Sequence, residues 1–462
     1  MGTQDESKNK NAWSKMDDAD IRCAMEFAKG YISFLNTAKT ERETADYIAA
    51  QAKQAGFKDF EAMGTIKPGD KFFMTKNNKV TALIIAGKEP PQKGFNLVVS
   101  HIDSPRLDLK AHPLYEADGM ALLKTHYYGG IKKYQWVAIP LALHGVVVKK
   151  TGEIITVKLG EKEDELGFTI TDLLPHLGKD QMDKKMSEAI KGEDLNILVG
   201  SRPLTDDEKE PIKRSVLNLL KEEYGIDEDD FVSAEIEAVP AFPAREIGFD
   251  RSMVGAYGQD DRVSAYASCR AILDCKAAER TSICLCADKE EIGSAGNTGL
   301  QSLIIENIVS QLLHKQNIPD YYTLRKCLES SYALSADVNA AVDPTYPQVF
   351  EKMNNSFLGH GVVLTKFTGS RGKYDSNDSN PEFVAKIRSL FDQNRIAWQV
   401  GELGKVDIGG GGTVAQYLAR YGMEVIDCGV ALLSMHSPFE ISSKADLYMS
   451  YKAYKCFFEL NS

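Results

Sequence analysis

The stretch "SICLCADKEEIGSAG", residues 282–296, passes from apolar residues directly into two adjacent glutamates, Glu290 and Glu291, and then into small residues. So abrupt a change marks the end of a buried strand and places both acids at its exposed carboxyl edge. The arrangement recurs. His101 and Asp103 follow the apolar run "NLVVS", Asp337 follows "YALSA", and His436 stands in "LLSMHSPFE" after the last apolar strand. Asp260 and Asp261, in a loop preceding a helix, join them. In an open α/β sheet a ligand binds beyond the carboxyl ends of the strands, so these residues are expected to meet. Two imidazoles and several carboxylates without a thiolate form the donor set of a catalytic divalent-metal site, whereas structural zinc sites favour cysteine. Five or six candidates exceed the three protein ligands of one catalytic zinc. A carboxylate bridging two ions about 3.5–4 Å apart accommodates them.

Two further roles follow from position. A metal-bound imidazole hands its other N–H to a carboxylate, and Asp103, two residues past His101, is placed to accept it. Of two neighbouring glutamates, one can bind metal while the other takes a proton from a metal-bound water as general base. Taken singly, His-x-Asp also reads as a strand-end histidine with a helix cap, and Glu-Glu as a charged loop. Their shared place at strand ends carries the metal reading. The glycines of "DIGGGGTVAQ", residues 407–416, lack G-x-G-x-x-G spacing and no Gly-Lys-Ser/Thr follows, which speaks against a nucleotide site. Backbone N–H groups in this loop, at Gly411 and Gly412, are instead expected to line a substrate site. His112, His126, His144, His314 and His360 read as hydrogen-bonded or surface residues.

The elements that must position these residues alternate. Thr40 and Glu43 have capping-box spacing ahead of a helix whose apolar stripe is Ala45, Ile48, Ala49, Ala52 and Ala55, with Gly56 at its end. Strands follow at "TALIIAG" and "FNLVVSHID", the second a continuous apolar run buried on both faces. After "VGAYGQDDR" come helix "VSAYASCRAILDC", strand "SICLCAD", helix "SLIIENIVSQLLHKQ", strand "YALSAD", helix "PEFVAKIRSLFDQN", strand "AWQVGE", helix "TVAQYLARYG", strand "MEVIDCG" and a final helix. This alternation predicts an α/β fold with a mostly parallel sheet flanked by helices. Between them, residues 111–246 change character. Alternating segments "GVVVKK" and "IITVKLG", Pro-punctuated turns and a charged helical stretch "TDDEKEPIKRSVLNLLKEEYG" read as an inserted β-rich domain. The expected division is 1–110 and 247–462 for the catalytic domain and 111–246 for the insert.

Bulk properties narrow the function. A length of 462 residues implies two or three domains, and 43% hydrophobic with 26% charged residues is an ordinary globular composition. A net charge of -11 and a pI near 5.4 exclude the basic footprint of a nucleic-acid binder. The longest apolar stretch, "WVAIPLALHGVVV", is broken by Pro140 and by His144-Gly145 and is shorter than the roughly 18 residues of a spanning helix, so no membrane association is expected. The polar opening "MGTQDESKNKNAWSKMDDAD" has no signal-peptide core and no myristoylation pattern. Eight scattered cysteines without C-x-x-C spacing read as small buried hydrophobes in a reducing cytoplasm.

The ordered set "VVSHIDSPRLDLK", "AYGQDDRVSAYAS", "DKEEIGSAGNTG", "SADVNAAVDP" and "LLSMHSPFE" closely resembles the aspartyl aminopeptidase and vacuolar aminopeptidase I family of dizinc exopeptidases, over nearly the whole chain. The resemblance implies a metal-dependent aminopeptidase acting on peptides with a free N-terminus. It implies that His101, Asp260 and Asp337 hold one ion and Asp260, Glu291 and His436 the other, with Asp260 bridging. It implies that Glu290 is the general base for a water between the metals, and that Asp103 supports His101. The metals are expected to be two divalent ions per subunit, zinc first, manganese or cobalt next. The insert is expected to make dimers that assemble into a dodecamer, with His176 in "LLPHL" reaching a neighbouring active site. Lys366 and Tyr374 resemble the family's substrate-contacting pair. Where many relatives have Asp-Asn at the bridging position, this chain has Asp260-Asp261, and both carboxylates compete for that role. A related dimetal carboxypeptidase or N-acyl deacylase reuses the same ligand types, and a metal-binding scaffold without catalysis is a third reading, against which an intact Glu290 argues. The preference for an acidic or a neutral N-terminal residue is not readable from the pocket residues.

Overall fold

The computed structural model describes residues 11–204, 209–276 and 279–461. The polar opening residues 1–10 lie outside the described residues, as do residues 205–208 of the charged helical stretch. The chain divides into two compact units. The first comprises the chain up to Asp103, Ala244–Met435 and Glu440 onward; the second comprises Ser104–Pro243 and His436–Phe439.

The first unit is built on a nine-stranded sheet. Its four central strands, Thr281–Ala287, Phe95–His101, Tyr332–Ser335 and Glu424–Gly429, are adjacent in that order and all parallel. Direction reverses on either side, where Val80–Ile85 and Val362–Thr365 pair antiparallel with their central neighbours. The sheet is mostly parallel, as expected, with antiparallel neighbours on either side of its parallel centre. Side chains of the central strands alternate between two apolar clusters, one on each face. Val98, Cys284, Leu334 and Ile426 enter one, while Leu97, Val99, Leu285 and Val425 enter the other. Burial on both faces is the reason that these strands read as unbroken apolar runs.

Register decides where the polar residues emerge. Ala287 pairs with His101, and Ser335 with Val99, so three parallel strands end nearly level. The residues that follow them, His101 to Asp103, Asp288 to Glu291 and Asp337, therefore leave the sheet at one edge. A second sheet of five short strands, unforeseen from the sequence, lies in the same unit. It runs Arg245–Ile247, Met253–Ala256, Glu440–Ser443, Ala431–Leu433, Asn339–Ala340. Met253–Ala256 leads directly into the turn before Asp260, and Asn339 lies two residues beyond Asp337.

Helices cover the main sheet. Glu41–Gln54 begins with the expected capping box, in which Thr40 accepts from the Glu43 N–H and the Glu43 carboxylate accepts from the Thr40 N–H. Ala45, Ile48, Ala49 and Ala52 are buried along it, and Gly56 takes the left-handed conformation just past its end. Gln259–Leu273 and Lys444–Phe458 are both buried over most of their lengths. A helix at Tyr321–Glu329, capped by Asp320, was not anticipated. The helix expected through "TVAQYLARYG" is confined to Ala415–Ala419, because the preceding glycines are held in a loop. The cysteines are free thiols, six of them buried, as expected of small hydrophobes.

The second unit is β-rich. Seven antiparallel strands lie in the order Ile154–Leu159, Leu141–Val148, Ala234–Pro240, Arg106–Ala117, Met120–Tyr128, Asn196–Gly200, Thr169–Ile170. The helix Pro211–Tyr224 starts on proline and stops at Gly225, φ +69°. Arg106–Ala117 is one continuous strand, so this unit starts a few residues before 111; residues 245–247 pair in the first unit's small sheet. Among the described residues, no helix is long and apolar enough to cross a membrane.

Gly429 shows how closely the sheet approaches the site, since a Cβ there would fall 1.7 Å from the Asp337 carbonyl oxygen. Gly429→Ala is expected to force the strand and Asp337 apart and to cost roughly 1–3 kcal/mol. The denaturant midpoint measures this, and an unchanged midpoint would contradict the contact.

Candidate functional site

His101 is the last residue of its strand and almost wholly buried. Its ring has two distinct faces. Nδ1 lies 3.0 Å from the backbone carbonyl of Asp103, and because a carbonyl only accepts, Nδ1 carries the proton. Nε2 faces three carboxylates: Asp260 at 3.1 Å, Asp337 at 3.8 Å and Glu290 at 3.9 Å. Three carboxylates around one nitrogen call for positive charge there, whether a proton or a metal ion.

Asp103 does more than accompany this ring. Its carboxylate is 3.4 Å from Nδ1, slightly farther than its carbonyl. It accepts the backbone N–H groups of Glu290 at 3.1 Å and Glu291 at 3.2 Å, one on each oxygen. One buried aspartate thus fixes both the imidazole and the turn that carries the two glutamates. That turn is sharp: Lys289 at φ +68° and Gly293 at φ +87° flank the short 3-10 segment Glu290–Ile292. Asp288, buried beneath it, accepts from the Thr298 hydroxyl at 2.6 Å.

Asp260 and Asp261 point to different tasks. Asp260 and Glu291 lie close enough to share an ion, and Asp260 groups equally with His101 and Asp337; all the ligand atoms within each group are within 4.8 Å of one another. The Asp261 carboxylate instead accepts the backbone N–H of His101 at 3.3 Å. The peptide bond between the two aspartates is cis.

Charge in this cluster is far from balanced. Burial, followed by repulsion from Glu290, pushes the Asp337 carboxyl well up from its usual range. Burial raises Asp261 likewise, against the pull of His101. For His101 burial acts downward, but the Asp103 and Asp260 carboxylates outweigh it and hold the imidazolium well above its ordinary value. Each of these shifts reflects negative charge crowded into a small buried space. Oxygen and imidazole donors, converging in a buried place with excess negative charge, fit a divalent ion of the zinc, manganese or cobalt kind.

His436 belongs to the segment 436–439 of the second unit, which the chain enters from Met435 and leaves at Glu440 of the first. Its Nδ1 donates to the Gly130 carbonyl at 2.8 Å, which makes Nε2 the nitrogen with the lone pair. His176 is exposed in a turn of the second unit, among the exposed Leu173, Leu174 and Leu177. Lys366 follows the strand Val362–Thr365 and pairs with Asp378 at 3.6 Å; Thr365, its neighbour, accepts a hydrogen bond from Asn339. Tyr374 is 67% exposed on a hairpin closed by backbone bonds with Ser370. The glycine-rich loop packs against this hairpin. Gly411 accepts from the Gly369 N–H at 2.6 Å, and a Cβ on Gly410 would come within 2.3 Å of the Gly369 carbonyl oxygen. Close backbone approach explains why glycine is required at Gly410; Gly412 stands exposed beside it.

Sequence reasoning passed over Gln259, Arg262 and Glu440. All three are buried around the Asp260 turn, and all stand inside motifs already singled out, "GQDDR" and "HSPFE". Their charge and amide character in otherwise apolar surroundings was the available signal.

Known proteins match nearly the whole chain. A family model described as aminopeptidase I zinc metalloprotease (M18) matches residues 34–458. The probable M18 family aminopeptidase 1 of Clostridium acetobutylicum is 51% identical over 453 residues, 97% of each chain. The aspartyl aminopeptidase of Caenorhabditis elegans is 25% identical over 457 residues, 94% of this chain and 95% of that one. Among solved structures, an M18 aminopeptidase from Thermotoga maritima superposes with a TM-score of 0.94 at 47% identity, over 97% of this chain and 99% of that one.

Asp103 offers a test of the geometry that does not depend on any comparison. Asp103→Asn keeps the shape but replaces one accepting oxygen with a donor facing an N–H. Activity at limiting metal is expected to fall roughly 10–100-fold, as for other groups that orient metal ligands. A variant as active as the parent across a zinc titration would contradict this role.

Proposed function

The chain belongs to the M18 family of aminopeptidase I zinc metalloproteases, hydrolases that remove amino acids from the N-terminus of peptides, and from that premise we propose a two-ion site. His101, Asp260 and Asp337 hold one ion; Asp260, Glu291 and His436 hold the other. The observation that carries this reading is the His101 Nε2 atom, faced by three carboxylates within 3.9 Å. Family membership sets aside the carboxypeptidase, deacylase and inert-scaffold alternatives. It also names zinc as the family's metal, with manganese or cobalt as substitutes that oxygen-rich donors tolerate.

When bound, the ions supply Lewis acidity to a water and to the scissile carbonyl. The protein supplies the rest. Glu290, its amide anchored on Asp103, takes the proton from the attacking water and returns it to the departing amine, so that the carboxylate is regenerated. Asp103 and Asp261 hold His101 from its carbonyl-facing side and its backbone. Lys366, Tyr374, Gly411 and Gly412 contact the substrate. Their support is the paired hairpin and glycine loop that bring them together.

The second unit is the dimerisation domain, and dimers assemble towards a dodecamer. Its exposed Leu173, Leu174 and Leu177 are 55%, 50% and 70% accessible, an apolar face suited to a second copy, and His176 among them reaches the neighbouring site. The enzyme works in the cytoplasm, where its thiols stay reduced.

Glu290→Gln is expected to retain its metal and lose about 10²–10⁴-fold in turnover, which separates the base from the ligands. Retention of most activity would remove Glu290 from the mechanism. Wild-type protein should release p-nitroaniline from Asp, Glu, Leu or Ala anilides but not from N-acetyl-Leu anilide. Chelation should abolish release, and zinc, manganese or cobalt should restore it. The Asp-to-Leu ratio sets the side-chain preference, and activity confined to the blocked substrate would contradict an exopeptidase that needs a free amine.

A further inference from the structure

The turn from Tyr257 to Asp260 is held from both sides by buried side chains of opposite charge. Arg262, wholly buried, donates to the backbone carbonyls of Gly258 at 2.7 Å, and of Tyr257 and Ala38 at short range. Glu440, equally buried, accepts the backbone N–H of Gln259 at 2.5 Å and of Asp260 at 3.1 Å on a single oxygen. The guanidinium thus takes carbonyls while the carboxylate takes amides. Four successive residues ending at Asp260 lose the freedom to rotate a peptide plane.

Gln259 ties the two elements further. Its side chain donates to the backbone carbonyls of Val254 and Glu440 and accepts from the Ser442 hydroxyl at 2.6 Å and the Tyr31 hydroxyl at 3.1 Å. Register supports the arrangement, since Ala256 pairs with Glu440 and Val254 with Ser442 in the small sheet. A neutral residue at position 440 would satisfy the core at lower desolvation cost. A carboxylate accepting two N–H groups there is better explained by what those N–H groups carry.

We propose that Glu440 and Arg262 are positioning residues that preset the Asp260 carboxylate for metal before any ion arrives. The inference rests on the reading of Asp260 as a metal ligand. It assigns to Glu440 a measurable part of zinc affinity although its carboxylate is engaged with amides. Groups that orient metal ligands change affinity roughly 10–100-fold when removed, and that range is expected for Glu440→Ala. Glu440→Gln keeps an accepting oxygen without the charge and should lie between Glu440→Ala and wild type.

The experiment is zinc binding to metal-stripped full-length protein by competition with a chromogenic chelator, on wild type, Glu440→Ala, Glu440→Gln and Asp260→Asn. Expected are weaker binding in Glu440→Ala, partial rescue in Glu440→Gln, and a fall in kcat at saturating zinc with KM little changed. A merely structural Glu440 would lower the melting temperature of the metal-free protein and leave zinc affinity and kcat alone. Should Glu440→Ala fail to fold, Glu440→Gln decides, and wild-type zinc affinity in it overturns the proposal. If Asp260→Asn also binds zinc as wild type does, the metal assignment itself has failed. If Asp260→Asn loses zinc while both Glu440 variants keep it, the assignment stands and the positioning role does not.

Discussion

Repulsion among buried carboxylates around one imidazole is the constraint on which the site depends. His101, Asp260, Asp337 and Glu290 converge with all three carboxylates within 3.9 Å of Nε2, and this crowding holds the imidazolium and the Asp337 carboxyl well above their usual ranges. Removing one charge partner from such a cluster leaves the others uncompensated. Much of the surrounding structure answers that repulsion. Strand register brings the groups to one edge, Asp103 turns the glutamate segment inward, and Arg262 with Glu440 holds the Asp260 turn.

The two sheets of the first unit divide this labour. The large sheet delivers residues from the ends of three parallel strands, a placement set by register alone. The small sheet delivers the Asp260 turn, and its antiparallel pairing of Ala256 with Glu440 sets the amides against their acceptor. Backbone contacts too close for a side chain, at Gly429 beside Asp337 and at Gly410 beside Gly369, fix the remaining approach. Strand ends and buried helices therefore hold the clustered carboxylates and imidazole, while Tyr374 on its hairpin and Gly412 of the glycine loop stand exposed.

Much of this was legible in the sequence, for a physical reason. A polar residue at the end of an unbroken apolar run has few other places to go, which is why His101, Glu290, Glu291 and Asp337 could be found without a structure. The capping box at Thr40 and Glu43 was readable because its two bonds are local in sequence. What escaped depends on long-range pairing. Val362–Thr365 is too short to show a period, and its antiparallel direction, which makes the sheet mixed, is written in no local pattern. The bond from His101 Nδ1 to the Asp103 carbonyl, rather than chiefly to its carboxylate, follows from backbone geometry that residue types do not encode. Glu440 and Arg262 stood inside quoted motifs, but the amides that Glu440 accepts and the Ala38 carbonyl that Arg262 reaches lie in segments far apart in the chain.

Anomalous diffraction at the zinc edge from crystals of the zinc-loaded protein tests the two-ion account most directly. The account predicts two peaks about 3.5–4 Å apart, both against Asp260, one beside His101 and Asp337 and the other beside Glu291 and His436. A single peak, or a second ion bound away from Asp260, would contradict it.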